Sequence, residues 1–511
     1  MRVFVLLFFL ISFSITANAI NENKLDSSWY PLSTDISFGE QQYFSINGDT
    51  FNIELLDIQT TIDTIKEAIR SATVTVRINK DTIKISCGNY SLPTTLSDFG
   101  IQIECTIVKN YLINSNHNDW VLEKDARLRI YPYTGRFIKE GVFGFPLDAK
   151  LFSSKTQMGN EPSYVGGESL SRQKIYYHSD LDFGGADGLV NLYSTTDGVV
   201  LSIGTNYDYL LSVAPNIKTD APFWKKEYEY ALRPLEDQIF ILDPMGFLHL
   251  YAHLNSFATE LSPGSEVRKG DFIGTLGKKG GSGNWSHLHY GMYAQEPSGQ
   301  MARVDPYPFI VQSYIDEYKP AIIAVARPHK FTFSGDEVLL SGANTYNNSN
   351  HTLYYEWNVA GEVLNGKNVN VIFDKPGSYS AILKAYNNYD YDYDSVSIKV
   401  LDKNDLRAQI PNVYPTFYPS KEIQINNPVV FQFRTTGIGE FVDLSTEFDF
   451  GDGFIKNVFY TGPGDNSIVH RYLQAGHYIV GIRTKTIHKN NPHKNIYKST
   501  EFLFIKVSDN N

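Results

Sequence analysis

Short runs rich in Val, Ile, Tyr, Phe and Thr, interrupted every few residues by Gly, Asn, Asp or Pro, dominate this chain. That punctuation predicts short antiparallel strands joined by tight turns. Strands are expected at Gly198–Ile203, Gln238–Leu242 and Phe247–Leu254, each bounded by turn residues. The alternating Ala126-Arg127-Leu128-Arg129-Ile130-Tyr131 reads as a half-buried strand. Helical spacing is confined to Ile58 to Ser71, where Ile58, Ile62, Ile65 and Ile69 recur on one helical face. The predicted fold class is mainly β.

A chain of 511 residues is long enough for several domains, and three or four are expected. Met1 to Ala19 reads as a signal peptide: Arg2 supplies the positive start, Val3 to Ile15 is nearly all apolar, and Ala17-Asn18-Ala19 offers small residues for cleavage. The apolar run is short of the roughly 20 residues a membrane span needs, and no later stretch is apolar enough to span. The mature protein is therefore expected to be secreted or periplasmic, with no membrane span. Residues 20–143 form a β-rich region that carries both cysteines, Cys87 and Cys105, and no cluster of metal-type ligands. In an exported chain these two predict a disulfide, whose loop would add about 3 kcal/mol. The competing reading is a pair of buried thiols. A formal charge of -11 without a basic stripe argues against a nucleic-acid partner.

Candidate chemistry concentrates in residues 144–315. Five of the twelve histidines lie between His178 and His289. His178-x-x-x-Asp182 offers an imidazole and a carboxylate that a strand would turn to one face, and His287-Leu288-His289 places two imidazoles on one strand face. A catalytic zinc takes three such protein ligands and keeps a fourth position for water, whose pKa it lowers to about 7.

The ordered set His178-x-x-x-Asp182, Asp197-Gly198-Val199-Val200, Tyr251-Ala252-His253-Leu254, Gly264 to Gly274, His287-Leu288-His289 and Val304-Asp305-Pro306 resembles the lysostaphin-type zinc endopeptidases over roughly 130 residues. The resemblance implies an antiparallel β catalytic domain with a metal cleft, Zn2+ as cofactor and peptide cross-links or stem peptides of peptidoglycan as substrate. It implies His178, Asp182 and His289 as metal ligands, His287 as general base and His253 as its assistant or oxyanion stabiliser. Domains ahead of the catalytic unit in this family position it or cover its groove. Two departures concern groove shape: Asp180 stands where the family has Gly, and Phe183 to Gly188 replaces a small apolar turn. His249 has no family counterpart and reads as a surface residue or one supporting the ligands.

Two further β-rich units are expected at 323–402 and 405–508. In the second, Glu447-Phe448-Asp449-Phe450-Gly451-Asp452-Gly453 and His470 to Tyr478 resemble the PKD repeat, an immunoglobulin-like β-sandwich; the first unit is a degenerate version lacking the Gly-Asp-Gly turn. Such modules imply a glycan or a surface protein as an additional partner, and the 34 tyrosines suit those contacts. Asp449 and Asp452 read as turn-holding residues. Asp390-Tyr391-Asp392-Tyr393-Asp394 lacks the glycine and glutamate of a calcium loop and reads as an acidic, aromatic hairpin edge. The N-glycosylation patterns, including Asn284-Trp285-Ser286, are read as incidental in a bacterial protein, since a glycan beside His287 would crowd the cleft. Two alternatives remain open at this point. One is a non-catalytic surface-binding protein with a structural metal; the other is a secreted protease acting on Gly-rich proteins.

Overall fold

Strands do dominate, as the turn spacing requires, and the protein is mainly β, built from several antiparallel sheets. The computed structural model describes residues 23–25, 31–46, 48–63, 67–111, 122–133, 136–138, 140–159, 162–164, 175–178, 180–206, 209, 235–299, 301–403, 412–436, 441–459, 466–488 and 496–509. The expected leader at 1–19 lies outside these residues. Among the described residues no helix is long and apolar enough to cross a membrane.

The first unit pairs a five-stranded sheet, which includes Asp49–Ile62, Ile69–Ile78 and Asp81–Gly88, with a four-stranded sheet containing Ile101–Val108 and Ala126–Pro132. Of the helix expected at Ile58 to Ser71, residues 64–66 with Ile65 lie outside the described residues, and the rest belongs to two antiparallel strands and their flanks, in which Ile58 lies opposite Val74 and Thr61 opposite Ser71. These strands are crowded with β-branched residues, which lose side-chain freedom on a helix and pack well on a pleated sheet. Asp63 links their flanks by accepting the Glu67 N–H at 3.0 Å and, through its carboxylate, the Ala68 N–H at 3.3 Å. Cys87 and Cys105 both lie in the core between the sheets as free thiols, so the expected disulfide is replaced by the alternative reading. A hydrogen bond with Cys105, together with burial, pushes the Cys87 thiol up.

The strand Ala126–Pro132 is buried on both faces rather than one. Its outer face carries Arg127 and Arg129, each 1% exposed, and these dock on the central unit. Arg127 pairs with Asp35 at 2.7 Å and lies 3.5 Å from Glu296, while Arg129 lies 3.6 Å from Glu104 and donates to the Asp305 carbonyl at 3.5 Å. A strand that alternates apolar and charged residues can be fully buried when the charges find partners across a domain interface.

The central unit is an eight-stranded sheet with a three-stranded sheet packed beside it. His287–Gln295 is the hub strand, paired to Leu181–Gly184 on one side and Leu248–Ala252 on the other. A helix over Tyr307–Tyr318 closes the core, an element the periodicity does not announce. Tyr307 through Tyr314 are all buried, so no polar face marks the 3.6-residue period there. The Asp305 carboxylate starts the helix by accepting the Tyr307 N–H at 3.0 Å, and Lys319 ends it in a left-handed turn.

Two sandwiches follow, with separate cores around Trp357 and around Phe431 and Phe448. One sheet of ten strands runs through both, joined where Ser378 meets Ser499. In the second sandwich, Asp449 and Asp452 accept backbone N–H groups of Gly451 and Phe454, consistent with turn-holding roles. The Asp390–Asp394 stretch leaves a hairpin turn, with Asp390 and Tyr391 exposed as an edge would be, but its other two acids are not. Asp392 and Asp394 turn inward to accept the Ala324 and Ala326 N–H groups, and Asp394 binds the fully buried Arg327 at 3.1 Å. Arg327 also donates to the Ser154 carbonyl at 2.6 Å, which ties the first sandwich to the central unit.

Candidate metal centre and catalytic cleft

The hub strand carries the centre. His287 and His289 point to one face of His287–Gln295 with Leu288 in the core between them, as the period of two demands. Asp182 lies directly opposite His289 across the strand pair, which brings its Oδ1 to 3.0 Å from His289 Nδ1. His178 reaches the same point differently from the expected straight strand. The chain between it and Asp182 turns through Asp180 at φ 68°, and that turn, rather than a common strand face, swings His178 onto the other two.

His178 Nε2 lies 3.2 Å from His289 Nδ1 and 3.2 Å from Asp182 Oδ2. One donor atom from each of His178, Asp182 and His289 falls within 4.8 Å of the others. A tetrahedral ion with bonds of about 2.05 Å holds its ligands about 3.3 Å apart, so these separations suit a single small cation. The donor set of two imidazoles and one carboxylate is also of zinc type. Burial alone would raise the Asp182 pKa, but its attraction to His178 and hydrogen bonds from His178 and His289 outweigh burial and hold this carboxylate well below its usual range.

His287 and His253 flank this trio. Their ring centroids are 4.7 Å apart, and His253 lies 5.8 Å from His289. His287 Nδ1 sits 3.0 Å from the Trp285 carbonyl, which can only accept, so Nδ1 carries the proton and Nε2 faces the cleft. Burial, with the charges of His253 and His289, pushes the His287 pKa down to about 3 against the pull of Asp182. The ring is therefore neutral near neutrality, with its lone pair at Nε2. His253 Nδ1 lies 2.9 Å from both Asp237 Oδ2 and the Lys279 carbonyl, so it too is the protonated nitrogen and its Nε2 faces inward. Asp237 also accepts the His253 backbone N–H at 3.0 Å and so braces a residue held at φ 69°.

All five residues singled out from the sequence thus converge on one cleft. Others there were missed. Asp237 sits in a turn with no pattern of its own, and Asp180 appeared only as a departure from Gly. Trp285 stacks on His287 at 3.7 Å, and Tyr414 of the last sandwich stacks on Trp285 at 4.6 Å, so a distant module backs the cleft. A cavity of 250 Å³ opens beside this stack between Lys278, Ser286, Gln432 and Arg434. His249 is neither a surface residue nor a metal ligand: it is fully buried, and bonds Asp243 at 3.2 Å and the Tyr290 hydroxyl at 2.8 Å beneath the sheet.

Residues 226–306 match Peptidase family M23. The matched M23 segment contains His253, His287 and His289, and that family's chemistry is hydrolysis of peptide bonds. Among solved structures, the chain is similar to LytM from Ruminococcus gnavus, a protein assigned only provisionally as a glycyl-glycine endopeptidase. Identity is 26% over 34% of this chain and 60% of that one, with a TM-score of 0.21. It is also similar to the catalytic domain of lysostaphin from Staphylococcus simulans, at 19% identity over 30% of this chain and 92% of that one, TM-score 0.19. The PKD domain of an M14-like peptidase from a Thermoplasmatales archaeon matches at 24% identity over 19% of this chain and 92% of that one, TM-score 0.15. The chain spans 60% of the length of the Ruminococcus protein. No curated protein matches it.

Proposed function

We propose that this protein is a secreted zinc endopeptidase that hydrolyses peptide bonds in peptidoglycan, with His178, Asp182 and His289 as ligands. The observation that carries the reading is the meeting of these three donors beside two histidines whose free nitrogens face the same space. When bound, zinc supplies Lewis-acid polarisation of the scissile carbonyl and a water of lowered pKa. The chain's own groups account for the proton traffic. Neutral His287 accepts a proton from the attacking water at Nε2, because its Nδ1 is committed to the Trp285 carbonyl. His253, held through Nδ1–H by Asp237, stabilises the charge that develops on the substrate oxygen in its imidazolium form, in which Nε2 also carries a proton to donate. Trp285 and Tyr414 hold the His287 ring in plane. The two sandwiches act as PKD-type modules that hold the enzyme at a surface, and the first unit positions the M23 segment through its buried arginines.

The test incubates the mature chain with purified sacculi and, separately, a Gly-rich protein, with and without a zinc chelator, and identifies released termini by mass spectrometry. New termini from sacculi, abolished by chelator and by His287→Ala, support the reading. Binding to sacculi with no new termini would refute it, and termini only from the Gly-rich protein would overturn the substrate.

A further inference from the structure

The ligand histidine His289 lies between two carboxylates. Its Nδ1 is 3.0 Å from Asp182 Oδ1 and its Nε2 is 3.1 Å from Asp180 Oδ2. An imidazole in this position has two neutral tautomers, and only one leaves Nδ1 as a lone pair for a cation. With the proton on Nδ1 the ring would donate to Asp182 and close the site; with the proton on Nε2 it donates to Asp180 and leaves Nδ1 open.

Four elements combine to hold Asp180 at this place. The residue is 3% exposed and adopts φ 68°, a conformation that Asp tolerates better than most side chains. Arg303, on the outer strand Met301–Val304, binds the same Oδ2. Arg303 is itself steadied over the Tyr293 ring at 5.0 Å. Gly291 on the hub strand makes the room: a Cβ there would stand 2.8 Å from Asp180 Oδ2.

Resting on the zinc-site reading above, we propose that Asp180, anchored by Arg303, is a positioning residue that locks His289 in its metal-ready tautomer and strengthens its Nδ1 as a donor. Carboxylate partners of ligand histidines act in this way in metal centres generally, and their loss weakens metal binding by about 10- to 100-fold. Asp180 touches no reacting atom; it works through His289. The arginine tempers the effect, because it draws part of the carboxylate charge away from the imidazole.

The experiment measures zinc dissociation constants on the metal-free full chain by competition with a chromogenic chelator. The wild type is compared with Asp180→Gly, Asp180→Asn and Arg303→Met. Asp180→Gly suits the backbone conformation, so a loss of affinity there cannot be blamed on strain. Its expected affinity is about 10- to 100-fold weaker, with Asp180→Asn between it and the wild type. Arg303→Met should weaken zinc binding less than Asp180→Gly does, because Asp180 loses an anchor but its carboxyl group still faces His289. Melting temperatures of the metal-free forms, recorded alongside, should not follow this order. Asp180→Gly within twofold of wild type would overturn the proposal, as would an Arg303→Met loss equal to that of Asp180→Gly. A wild-type chain that binds no zinc would instead overturn the zinc-site reading beneath it.

Discussion

Asp237→Asn isolates the support given to His253. In the wild type one oxygen, Asp237 Oδ2, accepts both the His253 backbone N–H at 3.0 Å and Nδ1–H at 2.9 Å. Burial would raise this carboxyl, but the hydrogen bonds and charge of His253 outweigh burial and hold it below its usual range. Asparagine keeps the shape and can keep one accepting oxygen, but it loses the charge. Its amide nitrogen would occupy the place of Oδ1, which is buried and has no partner. It cannot shift away, since the carboxylate is packed against Gly280, where a Cβ would fall 2.5 Å from Oδ2. Removing one charge-assisted hydrogen bond costs about 1.5–3 kcal/mol, which is about a 10- to 150-fold loss if it acts in the transition state. If the amide instead turns its nitrogen toward Nδ1, His253 must change tautomer and the loss grows. The assay is the rate of release of new amino termini from sacculi, with zinc content measured on the same samples. Zinc should remain stoichiometric, because Asp237 contacts none of the three ligands. A rate within threefold of wild type, or a fall that tracks lost zinc, would refute the reasoning.

Other expectations concern the interfaces. Burial outweighs Arg129 and Tyr131 and raises the Glu104 pKa from 4.5 to about 7. Between those values the folded chain holds a proton that the unfolded chain releases, so this group's contribution to stability is present at pH 4.5 and is lost as pH rises to 7. The change amounts to about 3 kcal/mol. Glu104→Gln should remove that component, and urea unfolding at pH 5 and pH 8 should show a smaller pH effect than in wild type; an equal effect in both proteins would contradict it. Arg327→Met leaves the buried Asp394 without its counter-charge between the central unit and the first sandwich, and should cost about 3–5 kcal/mol. Asp394→Asn added to it should restore part of that loss, and a single-variant cost below about 1 kcal/mol in urea unfolding would show the pair to be dispensable.

Much of the centre was legible because its geometry is local. A period of two turns His287 and His289 to one face whatever surrounds the strand, and the β-rich composition with its dense turns dictates antiparallel sheets. Patterning failed where burial was not one-sided. The isoleucines at 58, 62, 65 and 69 suggested a helix, but among the described residues β-branched neighbours and a partner strand made an antiparallel pair; the helix at Tyr307–Tyr318 hid because its first two turns are buried all round. Arg127 and Arg129 looked solvent-facing until another unit's acids covered them.

The chain by itself determined which donors exist and that His287 and His289 share a strand face, because those facts follow from residue type and backbone period. Only the tertiary structure decided that Asp180 and Asp237 orient the histidines, that Tyr414 backs the cleft and that the cysteines meet as thiols. Those contacts join residues far apart in sequence, and no local periodicity encodes which distant surfaces come together.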